Sequence, residues 1–209
     1  MLTSFSQLAR TALASLAIAF AALPSPALAS SAESAHTLIR DLSTFTLDSV
    51  RGSKAMQSGD LQKVQALVES QLLPHVNFKR LTASAMGKHW RNATPEQQSR
   101  LQAEFRTLLI RTYSGALAQV TDQRLAMRPL RSASDATEVV VQTQIVGRGS
   151  PIQLDYRLSK EGTTWQIYDM NVLGIWLGDQ YRSSFSQEIS NSGIDGLINS
   201  LAAKNRKLM

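Results

Sequence analysis

Asp155 and Asp169 are the residues whose type and placement most invite a chemical reading. They lie on adjacent candidate strands, and two facing carboxylates can share general acid and general base work. The preferred alternative is that both point outward from their strands, with Arg157 as a charge partner. The three histidines offer less. His36, His75 and His89 are never four residues apart, so no zinc-binding helix is encoded. His75, beside Pro74, reads as a cap or surface residue. There is no G-x-S-x-G elbow, no P-loop and no G-x-G-x-x-G, and Gly147-Arg148-Gly149 reads as a hairpin loop. What remains is apolar surface. Trp90, Tyr113, Tyr156, Trp165, Trp176, Tyr181 and Phe185 read as core residues, and a ligand pocket would be a second use of the same wall.

The elements that would position these residues centre on 139–185. Val139–Val146 alternates in character, Gly147–Pro151 turns, Ile152–Leu158 alternates again, and Lys160–Thr163 leads into Trp165–Val172. This pattern predicts a three-stranded antiparallel meander. Its inward set is Val139, Val141, Thr143 and Ile145 against Ile152, Leu154, Tyr156 and Leu158. Trp165 and Ile167 share one parity while Met170 and Val172 have the other, so a bulge is expected near Tyr168-Asp169. An apolar run, Leu173–Leu177, and a helix carrying Tyr181 and Phe185 would close the greasy face. The pattern alone describes a container.

Before the meander, a helix is expected over about 35–57, with Leu38, Leu42, Phe45 and Val50 as its stripe. A second, capped by Asp60, would carry Leu61, Val64, Val68 and Leu72 until Pro74 ends it. A short third begins at Asn77 and runs to Gly87. Thr94-Pro95-Glu96-Gln97 encodes an N-cap, a proline at the first helical position and a capping box, and a wide apolar face from Leu101 to Val120 follows. Gln123–Pro129 reads as an edge strand. Two terminal helices are expected at about 179–190 and 194–204.

Residues 1–29 read as a secretory signal peptide: Arg10 is the only charge, Thr11–Leu23 is apolar, and Ala27-Leu28-Ala29 supplies the cleavage pattern. Residues 30–209 would then form one soluble domain. Without Arg10 the basic count is 21 against 16 acids, a net charge of +5. Cysteine is absent, which suits a bacterial periplasm. No basic run interleaves with aromatics, so nucleic acid is not an expected partner.

Two segments resemble the MlaC family of periplasmic phospholipid-binding proteins. The first runs from Leu73-Pro74-His75-Val76-Asn77-Phe78 through Gly87–Gln97 to Phe105 and Leu108–Tyr113. The second comprises Trp165–Met170, Tyr181–Phe185 and Gly193–Ile198. The resemblance implies an α+β fold, with a twisted antiparallel sheet of about four strands against several helices. It implies two acyl chains in an apolar cavity between these layers, with the head group near solvent. The residues expected to line it are Leu109 and Tyr113 on the long helix, and Val139, Val141, Ile152, Leu154, Tyr156, Ile167 and Val172 on the sheet. Ile175, Trp176, Tyr181 and Phe185 follow in the turn and helix. Trp176 departs from the family, which usually has a small or polar residue there, and so bears on the shape of the pocket mouth.

The implied role is a monomeric, non-enzymatic carrier without cofactor. It would shuttle phospholipid between an outer-membrane lipoprotein–porin complex and an inner-membrane ABC lipid transporter with a periplasmic ring, maintaining outer-membrane lipid asymmetry. Two other readings stay open. One is a small-molecule binding module or enzyme on a cone-shaped α+β fold, with Asp155 or Asp169 at the pocket floor. The other is a periplasmic adaptor with a simply packed core.

Overall fold

The computed structural model describes residues 31–133 and 135–208, so the expected signal peptide lies outside the described residues. Helix α1 spans Ser31–Gly52. It stops earlier than expected because Ser53 turns extended and its hydroxyl caps a separate short helix, α2, Lys54–Gln57. Its buried stripe also differs from the expected one. Ala32, Ala35, Ile39 and Val50 are buried, while Phe45 is exposed. The alanines carry little bulk, so this end of the helix can lie close against the strands.

Helix α3, Leu61–Leu67, is capped by Asp60, which accepts from Lys63 N at 3.1 Å. A π-helical turn, Val68–Leu72, and a 3-10 turn, Leu73–His75, then replace the regular helix expected up to Pro74. Helix α4, Phe78–Met86, starts at Asn77 as expected, with Asn77 Oδ1 accepting from Arg80 N. After a 3-10 segment, Gly87–Asn92, comes helix α5, Pro95–Ala118. Its capping box is complete: Thr94 Oγ1 accepts from Gln97 N, and Gln97 Oε1 accepts from Thr94 N.

The strands are β1 Arg124–Met127, β2 Glu138–Val141, β3 Thr143–Val146, β4 Ile152–Glu161, β5 Thr164–Val172 and β6 Ile175–Trp176. They form one antiparallel sheet in the order β1-β3-β4-β5-β6. Strands β2 and β3 are two halves of one line along the same edge of β4, interrupted at Gln142. β2 pairs with residues 156–159 and β3 with 152–153. The meander therefore forms as expected, and its bulge falls at Tyr168. Arg157 pairs with Asp169 and Leu158 with Ile167, leaving Tyr168 as the extra residue. Beside the bulge, Asn77 N donates to Ile167 O at 2.8 Å, fastening the start of α4 to the sheet.

Helix α6, Leu177–Lys207, contains a break at Gly193, where φ is 72° and ψ −178°. That region is essentially open only to glycine. The break separates two helical arms, close to the two terminal helices expected from sequence.

The principal cores are two. Ala32, Ala35 and Ile39 of α1 pack on Val139, Val141, Tyr156, Leu158, Trp165 and Ile167 of the sheet. The other joins α4, α5 and both arms of α6 through residues such as Leu81, Met86, Leu101, Phe105, Phe185 and Leu201.

Candidate functional site: the apolar sheet face and its seam

Strand alternation places Ile152, Leu154, Tyr156 and Leu158 on one face of β4. Cross-strand pairing adds Val139 and Val141 from β2, Ile167, Met170 and Val172 from β5, and Ile175 from β6. The bulge makes this possible, because it returns Met170 and Val172 to the face that Ile167 occupies. Cover along the face is uneven. Leu158 and Tyr156 are buried, Leu154 and Val172 are half-buried, and Ile152 and Ile175 are 43% and 55% exposed.

The candidate lining residues divide between the two cores. Val139, Val141, Tyr156 and Ile167 are buried in the α1–sheet cluster, with Leu154 packed against it. Leu109 and Phe185 are buried in the helical cluster, with Tyr113, Val172 and Tyr181 against it. Leu154 and Val172 are direct partners across β4 and β5, yet pack on different clusters. Met170 touches both. A seam between the two cores thus runs along the sheet face toward its exposed end. Met170 was not among the expected lining residues. Its parity was visible in sequence, but its membership of two clusters is a tertiary fact.

Aromatic rings close the helical side. Phe105 lies edge-on to Tyr181 and Phe185, with centroids 4.8 and 5.2 Å away. Burial pushes the Tyr181 hydroxyl up to about 12, helped by nearby Tyr113. On the sheet side burial likewise pushes Tyr156 up to about 12, with Ser43 as its hydrogen-bond partner. Both phenols stay neutral at any physiological pH, so the seam carries no titrating phenolate.

Trp176 stands outside both clusters. Its ring lies 3.8 Å beneath the Arg157 guanidinium. The two aspartates require a correction. They are not outward-facing, being 4% and 1% exposed. Asp155 accepts from Thr143 N at 3.1 Å and Gln153 Nε2 at 2.5 Å. Asp169 accepts from Met170 N at 2.9 Å, Gly178 N at 3.1 Å and Arg157 at 3.2 Å, the last as expected. Since Trp176, the residue before α6, offers no capping side chain, Asp169 serves as a remote cap for that helix. Desolvation raises the Asp169 carboxyl above its ordinary range, against its two backbone donors and Arg157. Both aspartates are held in the structural hydrogen bonds just named.

Two surface clefts are resolved elsewhere. One of about 320 Å³ is lined by Gln65, Glu69, Arg106 and Arg111 among others, and one of about 260 Å³ by Arg131, Glu138, Val139 and Tyr168 among others. Only Val139 belongs to the candidate lining. Among the described residues no His, Asp and Glu side chains gather as a metal site, and no helix is long and apolar enough to cross a membrane.

The fold has a counterpart among solved structures. A phospholipid-binding protein from Ralstonia solanacearum, solved in complex with a phospholipid, superposes with a TM-score of 0.80 at 41% identity, over 83% of this chain and 98% of that one. The toluene tolerance protein Ttg2D of Pseudomonas putida is 26% identical over 172 residues, 81% of this chain and 80% of its own length. The intermembrane phospholipid transport system binding protein MlaC of Haemophilus influenzae is 20% identical over 169 residues, 79% of each chain. The MlaC protein family model matches residues 40–203, and the chain belongs to that family.

Proposed function

We propose that the chain is a periplasmic phospholipid carrier, with two acyl chains lying along the seam between the α1–sheet and helical cores. The observation that carries this reading is the apolar face that runs unbroken from buried Leu158 to exposed Ile152 and Ile175, half-covered at Leu154 and Val172. The phospholipid bound in the Ralstonia relative supports it. Exposing two acyl chains to water costs roughly 0.8 kcal/mol per methylene, about 20–25 kcal/mol for some thirty methylenes. A carrier must therefore replace the bilayer with an equally apolar surface, which calls for no nucleophile and no metal. Its exchange partners would be the outer-membrane lipoprotein–porin complex and the inner-membrane ABC transporter, and its role the upkeep of outer-membrane asymmetry. The head group would sit toward Ile152 and Ile175, where solvent reaches the face.

Lipid extraction from the protein purified out of periplasm tests the reading directly: co-purifying phospholipid is expected, and a bound polar metabolite or nothing at all would refute it. Leu154→Arg tests the location. Along a lipid-filled seam the guanidinium can reach water through the exposed end. The variant should then fold and carry no phospholipid, whereas Leu154→Met should bind normally. A folded arginine variant with a full complement of lipid would remove Leu154 from the site.

A further inference from the structure

The larger surface cleft, of about 320 Å³, opens between α5 and the end of α3, and none of the candidate lipid-lining residues borders it. Gln65 of α3 and Glu69 of the π-helical turn stand on one side. Arg106, Thr107, Ile110 and Arg111 of α5 stand on the other. The π-helical turn is itself unusual. Such turns are rare, and those that persist are frequently found at functional sites.

Opposite charges share this cleft without neutralising one another. Glu69 and Arg106 are both exposed, and neither side chain has a hydrogen bond or ion pair among the described residues. Arg111 is held differently. It is half-buried, and its Nη1 donates to the Asn205 carbonyl on the last arm of α6. Asn205 is buried in turn, and its Nδ2 donates to the Glu104 carbonyl at 2.9 Å and carboxylate at 2.7 Å. A carbonyl acceptor orients the Arg111 guanidinium without cancelling its charge, and leaves its other N–H donors uncommitted. Thr107 Oγ1 already donates to Ala103 O at 3.0 Å, so it keeps only acceptor capacity, and Gln65 adds a side-chain amide. Beside them Ile110 supplies a buried apolar surface.

We propose that this cleft binds a small zwitterion that carries a phosphate ester and, a short linker away, a primary ammonium. The phosphate lies on Arg106 and Arg111, and the ammonium on Glu69. One arginine fills the two oxygens of a carboxylate, whereas a pair of arginines suits the larger oxygen set of a phosphate. Glu69 repels a bare anion, and so selects one that brings its own cation. The volume stands at the lower end for small-molecule sites, which fits a molecule of head-group size without acyl chains. That chemistry occurs in free glycerophosphoethanolamine and in the head group of intact phosphatidylethanolamine. The site is independent of the carrier reading, because it shares no residue with the seam.

NMR titration of the purified protein with glycerophosphoethanolamine is the test. Saturable shifts are expected at the amides of Glu69, Arg106 and Arg111. The Kd should be about 1 mM or tighter, the affinity that ordinary ligand efficiency gives about 13 heavy atoms. Glycerophosphoglycerol, a comparable diester without an ammonium, should bind about tenfold more weakly. Arg106→Gln should weaken both ligands about tenfold. Glu69→Gln should weaken only the zwitterion and erase its advantage, since the carboxylate that holds the ammonium also repels the bare anion. Both substitutions are at exposed positions, so both variants should fold as wild type does. Equal affinity of wild type for the two diesters, or equal loss of both in Glu69→Gln, would overturn the proposal. Co-sedimentation with vesicles of phosphatidylethanolamine and phosphatidylglycerol separates the sources. Vesicle association that Arg106→Gln abolishes, with no response to the free diester, would assign the bound group to the intact lipid. A response to neither would remove the site.

Discussion

Replacing Asp169 asks whether a carboxylate on β5 holds the start of α6. In Asp169→Ala the Gly178 amide loses its acceptor at a buried position. An orphaned buried donor costs about 1–3 kcal/mol. Arg157 also loses its partner, but a third of that side chain is exposed, so the ion pair contributes at most about 1 kcal/mol. The total is about 1–4 kcal/mol, or a fall in Tm of roughly 2–16 °C for a domain of this size. Asp169→Asn keeps an oxygen for Gly178 and gives up only the charge, so it should cost under about 1 kcal/mol. Thermal melts followed by circular dichroism give the difference, and amide exchange at Gly178 gives the location. If the asparagine variant is as unstable as the alanine one, or Gly178 stays protected without Asp169, remote capping is the wrong account.

Other outcomes follow from the same contacts. Because the folded Asp169 carboxyl is raised, its favourable contribution is complete below the ordinary 3.8 and is lost as pH rises through the folded value. Wild type should therefore gain stability relative to Asp169→Asn as pH falls from 7 toward 4 in equilibrium denaturation. Glu138 has the opposite sign: its hydrogen bond from Arg80 at 2.6 Å holds its carboxyl below the usual range, and that stabilisation disappears as pH falls through the lowered value. Glu138→Gln should flatten this acid limb, and salt should shrink the effect because both side chains are partly exposed. Phe105→Ala should cost about 3–5 kcal/mol. It should also move the Tyr181 hydroxyl back down from about 12, visible in an ultraviolet pH titration; an unmoved tyrosinate transition would mean that Phe105 does not keep water from Tyr181.

The parts of this fold that were legible in sequence are those whose causes lie within a few residues. The Thr94 capping box, the Asn77 and Asp60 caps and the parity change that demands a bulge at Tyr168 all involve neighbours in the chain. Alternation places Asp155 and Asp169 outward, yet both are buried, because alternation cannot say what covers the polar side of a strand. Asp155 finds its backbone donor on β3 and Asp169 finds one at the start of α6. Gly178 is equally opaque in sequence, although a Cβ there would stand 2.6 Å from Ser84 Oγ and 3.2 Å from Asp169 Oδ2. The candidate site was legible as a face and illegible as a seam. Alternation lines up Leu154 and Val172, but only the packing of α1 and α4–α6 assigns them to different cores.

The break at Gly193 also bears on the order in which the molecule can be completed. The α1–sheet cluster has all its members once residue 170 is present. The helical cluster does not, because Leu197, Ile198 and Leu201 lie on the arm beyond the break. That arm is tied back by Asn205, whose Nδ2 donates to the Glu104 carbonyl 101 residues earlier. Contacts so distant in sequence form slowly, and surface that waits for them is prone to aggregate. A chain that stops short of Leu201 would hold a finished sheet core beside an open greasy layer, so the final helical arm decides when the protein becomes safe from its own neighbours.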